Sequence, residues 1–371
     1  MNLLDIRTGD CRTVLKELES ASVQCCVTSP PYWGLRDYGC DGQIGLESEP
    51  KIYVEEMVKV FREVWRVLRD DGTLWLNLGD SYSGSGKGGN PDEGKQATNK
   101  GSQPIGTLYG KTGETARMAA VTNVSRRVCA ELGMRPKNLI GIPWRVALAL
   151  QADGWNLRND IIWHKPNPMP ESVTDRCTRA HEYIFLLTKA DRYYFNAEAI
   201  RETAVDVAWE ERYDRVGDAN KSLPDEKRNG IRKRNDRFGG KKHNGETTKH
   251  SDGSIFTVST TRNKRDVWTV TTSPYADAHF ATFPPDLIKP CILAGTKPGD
   301  TVLDPFFGSG TTGMVALEFG RKSIGIELNP EYVELCYRRC DVTPGLGLAY
   351  PTEIISSPPA LSASGLAFMS S

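Results

Sequence analysis

Between residues 300 and 327 the chain reads DTVLD, PFFGSGTT, TTGMVALEFG and KSIGIE. The pattern predicts a strand, a glycine-containing turn, a helix and a second strand that ends in Glu327. Gly308 and Gly310 let a ligand approach the backbone, and an acid at the end of the second strand suits the two hydroxyls of a ribose. The expectation is a nucleoside-cofactor site. Gly313 formally completes a Gly-x-Gly-x-x-Gly spacing, but Asp304 at the strand end disfavours a pyrophosphate, and Phe306 and Phe307 crowd the loop. A ligand with an ammonium and a sulfonium is attracted to Asp304, which points to S-adenosylmethionine. A second stretch, TSPPYWGLRDYG at residues 28–39, sets two prolines and an aromatic pair directly after the apolar run VQCCV. A rigid, aromatic-tipped loop thus leaves the end of a buried strand.

The surrounding elements must hold these two stretches together. CRTVLKELES predicts a short helix, and VQCCVTS a buried strand that delivers the Ser-Pro-Pro-Tyr loop. In KIYVEEMVKVFREVWRVLRDDG, Met57, Phe61, Val64 and Leu68 form one apolar stripe, with Asp70-Asp71-Gly72 as the stop. TLWLNLGD is the next strand. IPWRVALALQADGW predicts a helix opened by Pro143 and ended near Gly154, and LRNDIIWHK and EYIFLLTK predict two strands around a proline-rich bend. Helices and strands in this alternation are what a βα-repeating sheet requires.

Three segments break the pattern. Residues 81–123 are rich in Gly, Ser, Lys and Asn and poor in aliphatic side chains, a composition that reads as a mobile loop, either a surface insertion or a lid. From Lys221 to His250 ten Lys or Arg stand against four acids. That block is either a solvated stretch or a surface that tracks phosphates, with Arg228, Arg232, Lys233, Arg234, Arg237, Lys241 and Lys242 as its candidate contacts. The tail from Thr343 carries almost no charge and no period, and is expected to be loosely ordered.

Composition bounds the class. The 371 residues are 39% hydrophobic, enough for a large core, and 47 basic side chains balance 47 acidic ones. The amino terminus shows no basic region followed by an apolar core, and there is no run of 18 apolar residues. A cytoplasmic, globular enzyme is the expectation. The nine cysteines are scattered without a Cys-x-x-Cys pair, so buried reduced thiols are expected rather than disulfides or a metal site.

Taken together, DPFFGSGTT and TSPPYWG resemble the β-class amino-methyltransferases of DNA, the N4-cytosine and N6-adenine group. There the Ser-Pro-Pro-Tyr or Asp-Pro-Pro-Tyr motif precedes the cofactor motif, as residues 29–32 precede residues 304–312 in this chain. The resemblance covers about residues 5–340. It implies a Rossmann-like S-adenosylmethionine-dependent fold: an α/β, mostly parallel sheet with helices on both faces and a circularly permuted motif order. It further implies a catalytic half at 1–199, a basic target-recognition insertion at 200–265, a cofactor-binding half at 266–342, and a tail at 343–371. Double-stranded DNA is the implied partner, with a cognate restriction endonuclease as a further candidate.

Residue by residue, the resemblance implies that Asp304, Pro305, Phe306, Gly308, Gly310 and Thr311 form the turn that holds the methionyl end of S-adenosylmethionine. Glu327 falls at its ribose, Asp10 at its adenine amine, and Phe283 in the segment that closes over the methionine moiety, with Asn329 as a further cofactor contact. Phe307 departs from the pattern, because the family often has a small residue there. Ser29, Pro30, Pro31 and Tyr32 are the implied catalytic residues. The Ser29 hydroxyl and Pro30 carbonyl would accept from the exocyclic amine, the fixed proline φ aims that carbonyl, and Tyr32 offers a ring to a flipped base. Trp33 is expected to pack under the loop. Ser29 at the first motif position favours N4 of cytosine, with N6 of adenine as the alternative. Pro290-Cys291, which echoes the Pro-Cys nucleophile of cytosine-C5 enzymes, lies in an apolar helical pattern and is read as structural.

Overall fold

The computed structural model describes residues 3–35, 37–83, 134–135, 137–203, 246–249, 255–258, 261–272 and 283–340. Most of the 81–123 loop, the seven basic candidate contacts between 228 and 242 and the tail from 343 therefore lie outside the described residues. Eight strands form the main sheet, in the order β1 (Leu4–Thr8), β12 (Lys322–Glu327), β11 (Thr301–Asp304), β2 (Val23–Thr28), β3 (Leu68–Leu78), β5 (His181–Thr188), β4 (Asn156–His164), β10 (Val267–Thr269). Neighbours pair in parallel except along β5, which runs antiparallel to both β3 and β4. Strands from both ends of the chain thus complete one α/β sheet.

The apolar runs in the central strands are continuous because both faces are covered. Cys26, Leu74, Leu76 and Leu303 turn to a core formed with α2 (Pro50–Val67) and α3 (Ile142–Ala152). Their neighbours Cys25, Val27, Trp75 and Val302 turn the other way, onto α4 (Pro285–Gly295) and α5 (Thr311–Glu318). Cys291 is buried in that second core, as its structural reading requires. A third cluster joins Leu4 and Leu317 to Cys336 and Cys340, at α6 (Pro330–Arg339) and just beyond it. Among the described residues no helix is long and apolar enough to cross a membrane.

One element boundary differs from the sequence expectation. Helix α2 ends at Val67 and β3 begins at Leu68, so Asp70-Asp71-Gly72 lies inside the strand rather than stopping the helix. The register between β2 and β3 jumps from Val23↔Leu68 to Cys25↔Thr73, and the extra residues form a bulge. Gly72 is needed there, since a Cβ would sit 2.9 Å from the Arg69 carbonyl oxygen and 3.0 Å from that of Gln24. Bulges and helix stops draw on the same residue types.

Near the two ends of the 200–265 segment a short antiparallel pair forms, β6 (Glu202–Thr203) with β9 (Thr261–Arg262). Glu202 accepts from Arg262 and Arg265, 2.8 Å each, which ties the two ends together. Between them β7 (Glu246–Lys249) pairs with β8 (Ile255–Val258).

Phe307 explains itself through two glycines. Its ring is 3% exposed and turned into the third cluster. A Cβ on Gly325 would fall 2.4 Å from the ring, and one on Gly313 2.6 Å from it. The large side chain is accommodated because its neighbours have none. Gly325→Ala should therefore overpack this site and lower the unfolding free energy by about 1–3 kcal/mol, and Phe307→Ala should cost about 3–5 kcal/mol through the void it leaves. Denaturant titration of each variant checks this, and an unchanged midpoint for Gly325→Ala would remove the steric argument.

Candidate functional site

The carboxyl ends of β1, β2, β3, β4, β11 and β12 and the amino end of the reversed β5 all open on one edge of the sheet. A cavity of about 800 Å³ lies along that edge, within the range of cofactor and substrate pockets. Its centre is the gap between β11 and β2. The chain runs from β11 towards β12 and β1 on one side, and from β2 towards β3 on the other, so this gap is the point where strand order reverses and ligands bind in open α/β sheets.

A buried carboxylate spans the gap. Asp304, at the end of β11 and 1% exposed, accepts from the Thr28 hydroxyl of β2 (2.6 Å), the Thr312 hydroxyl of α5 (2.7 Å) and the Phe306 N–H (3.0 Å). Asp304 lies in the cavity wall, but both its oxygens already hold the two motifs together. Burial pushes its pKa up to about 6, against the three hydrogen bonds that favour the charged form.

On one side of this link the β12 end supplies Glu327, whose carboxylate accepts from the Gly308 N–H (2.7 Å) and the Asn329 N–H (2.8 Å). Burial pushes Glu327 up to about 7, with the two N–H groups opposing it and the charge of Asp304 adding to it. Pro305, Phe306, Gly308, Thr311, Asn329 and Phe283 line the same side of the cavity. Gly308 has φ +52 and only the Phe306 carbonyl near its missing Cβ, at 3.9 Å, so its backbone is open to a ligand. Asn329 also caps α6 through its side chain.

Two expected ligand contacts are built for other work. Gly310 does not line the cavity. With φ +78 it starts α5, and its missing Cβ would lie 3.3 Å from Cys336, so the glycine serves the packing of α5 on α6. Asp10 does line the cavity, but its carboxylate caps α1 (Cys11–Val14) by accepting from the Arg12 N–H (2.9 Å) and is clamped by the Arg12 guanidinium, 2.6 Å away at the closest atom. Burial works against the charge, but Arg12 outweighs it and holds Asp10 below the usual carboxylate range.

On the other side of β2 lies the Ser-Pro-Pro-Tyr loop. All four residues line the cavity. The Pro31 carbonyl accepts from Tyr53 of α2 (2.9 Å), and the buried Trp33 donates to the Glu47 carbonyl (2.9 Å), so the loop is pinned from beneath. Trp33 packs as expected. The Tyr32 ring lies over Gly79, where a Cβ would come within 2.4 Å of it. Its hydroxyl meets Glu182 Oε2 at 2.7 Å and Asn77 Oδ1 at 3.1 Å, and the Ser29 hydroxyl is 3.5 Å away. Glu182 in turn pairs with Lys165.

Asn77, Lys165 and Glu182 escaped the reading of the sequence. The available signal was their position: polar residues where the apolar runs LWLNL, IIWHK and HEYIF meet the active edge of the sheet.

The titration of Asp304 has a consequence for stability. A carboxyl whose pKa is raised by folding stabilises the native state below its unfolded value, near 3.9, and that stability is lost as pH rises through the folded value. For Asp304 the window closes at about 6, and for Glu327 at about 7. Relative to wild type, Asp304→Asn should be more favourable at pH 8 than at pH 5, by roughly 1.4 kcal/mol, the part of the shift realised between those two values. Thermal unfolding at both pH values checks it, and an equal offset at the two would refute the buried charge.

Residues 23–338 match the family of N6 and N4 methyltransferases described as DNA methylase. The Type II methyltransferase M.Cfr9I of Citrobacter freundii is 46% identical over 331 residues, covering 89% of this chain and 85% of its own length. M.SmaI of Serratia marcescens is 42% identical, covering 90% and 89%. Among solved structures, the PvuII DNA methyltransferase (cytosine-N4-specific) shares the fold at 18% identity and a TM-score of 0.53, covering 93% of this chain and 90% of its own. The chain therefore belongs to the DNA methylase family of N4 and N6 amino-methyltransferases, whose cofactor is S-adenosylmethionine.

Proposed function

We propose that this protein methylates the exocyclic N4 of cytosine in duplex DNA, on a base turned out of the helix, with the methyl group passing directly from S-adenosylmethionine. The observation that carries the reading is the Thr28–Asp304–Thr312 cluster, which sets the Ser-Pro-Pro-Tyr loop and the glycine turn on one cavity.

The residues on the β11–β12 side fit the cofactor. Glu327 is a carboxylate at the place of a ribose, Gly308 leaves its backbone clear, and Asp304 supplies negative charge beneath a sulfonium and an ammonium. When bound, S-adenosylmethionine supplies an electrophilic methyl group for in-line attack.

The chain's own task is to make a poor nucleophile attack. The lone pair of an exocyclic amine is delocalised into the ring. Acceptors aimed at its N–H bonds favour a more pyramidal nitrogen, and the Ser29 hydroxyl and Pro30 carbonyl take that role. Tyr32 supplies a face for the base to stack on. Ser29 in place of an acidic or amide residue supports cytosine over adenine. The Ser29 hydroxyl lies at the edge of the Tyr32–Glu182 pair, so its own proton has an acceptor while its lone pair serves the amine.

The basic block at 221–250 belongs to the same proposal as the phosphate contact of an insertion whose two ends the fold ties together at β6 and β9. Backbone phosphates dominate such affinity and make it depend on salt.

Two tests follow. Purified protein with labelled S-adenosylmethionine and mixed-sequence duplex DNA should yield N4-methylcytosine on nucleoside digestion and mass spectrometry. Ser29→Ala should lower kcat by on the order of 100-fold while cofactor binding persists. N6-methyladenine as the product would overturn the base assignment, and a fully active Ser29→Ala would overturn the role of the hydroxyl. Neutralising Arg232, Lys233 and Arg234 together should flatten the slope of log affinity against log salt by roughly 2 to 3. An unchanged slope would take the block out of the interface.

A further inference from the structure

We infer that Glu182, held in place by Lys165, is the positioning residue for the Tyr32 ring and thereby for the target base. The inference rests on the functional reading above, because it gives the base its stacking surface.

Tyr32 stands on a loop, and two constraints settle its ring. One is Gly79, whose missing side chain lets the ring lie against the end of β3. The other is the hydroxyl. A phenol has one proton to donate, and the shortest contact, 2.7 Å, goes to Glu182 Oε2. The Asn77 amide fills in around this bond: its oxygen lies 3.1 Å from the Tyr32 hydroxyl, and its nitrogen donates to the Tyr183 carbonyl at 3.1 Å. Glu182 is therefore the acceptor that fixes where the ring points.

A half-buried carboxylate in a cavity wall needs a counter-charge to stay there. Glu182 is 17% exposed and Lys165 19%. The pairing follows from the sheet, since the β4–β5 register sets Trp163 opposite Glu182 and brings Lys165 to the same edge. The Lys165 ammonium lies 4.1 Å from the Trp163 ring centroid, a cation–π contact that holds its stem. Removing Lys165 alone would leave an unpaired carboxylate beneath Tyr32, which is costlier than removing both charges.

Sheet order predicts which kinetic constant responds. Glu327 and Asp304 lie on β12 and β11, and Glu182 and Lys165 on β5 and beside β4, with β2 between the two groups. A loosened Tyr32 therefore misplaces the base and lowers kcat without disturbing the cofactor.

The test is steady-state methyl transfer with labelled S-adenosylmethionine and duplex DNA, beside thermal unfolding of every variant. Tyr32→Phe and Glu182→Ala should each lower kcat by about 10- to 100-fold, the worth of a hydrogen bond to a charged group, with the cofactor KM held within about twofold. The Tyr32→Phe/Glu182→Ala double variant should be no slower than the slower single, because both break one interaction. Lys165→Met should be impaired, and Lys165→Met/Glu182→Gln should recover most of that loss, because Gln keeps an acceptor for Tyr32 without a stranded charge. Where Glu182→Ala does not fold, the Tyr32→Phe and Glu182→Met cycle measures the same coupling, because Met keeps the bulk and removes the acceptor. Additive losses, a cofactor KM that rises in step, or a double variant as slow as Lys165→Met would each overturn the inference, as would full kcat in Glu182→Ala with active wild type. Wild type that transfers no methyl group overturns the functional reading itself, and this inference with it.

Discussion

A carboxylate buried with no cation beside it among the described residues holds the two halves of the site together. Asp304 and Thr28 are 276 positions apart, yet they meet at 2.6 Å. The contact exists because β11 and β2 are neighbours in register, Leu303 beside Cys26, so that their ends reach the same edge together. The chain order of the motifs then matters little to the chemistry, because the sheet and not the sequence decides what is adjacent. Taking a charge out of water without a counter-ion is costly. The cost is met by three hydrogen bonds and two well-packed cores around the strand pair. Rules broken at one place in an otherwise consistent structure mark functional sites, and this is where the present chain breaks one.

From that link the cavity divides along β2. The glycine turn, Glu327 and the start of α5 build one side from local sequence: strand, turn, helix and strand follow one another within 27 residues. The other side is assembled from four places in the chain, the loop after β2, the end of β3, the residue after β4 and the start of β5. The first side depends on local backbone geometry, and the second depends on the sheet closing correctly.

That contrast explains what the sequence disclosed. The strand, turn, helix and strand of the β11–β12 side were legible because their signals are contiguous, and the loop at Ser29 to Tyr32 because two prolines after an apolar run are conspicuous. Trp33 was legible as a packing residue because an aromatic beside a buried strand has a core to enter. Lys165 and Glu182 were not, since 17 residues separate them and their meeting depends on β5 running against its neighbours. Asp10 and Gly310 also serve the fold in ways the sequence did not disclose, for a shared reason. Asp is as good a helix cap as a ligand contact, and Gly admits a close helix as readily as a close cofactor. The Asp-Asp-Gly at 70–72 misled similarly, as a bulge rather than a stop.

The reversal of β5 also bears on charge. In a parallel sheet the residue that opens a strand lies at the edge away from the ligand. Glu182 is near the opening of β5 and reaches the active edge because that strand alone is inverted. It arrives already neutralised by Lys165, and Asp10 is likewise neutralised by Arg12. Asp304 and Glu327 are met only by hydroxyl and backbone N–H groups among the described residues. The protein thus keeps its uncompensated negative charge on the β11–β12 side and leaves the Tyr32 side balanced. A cationic ligand is favoured on the first side and an uncharged aromatic one on the second, which is the division that a sulfonium cofactor and a nucleobase require.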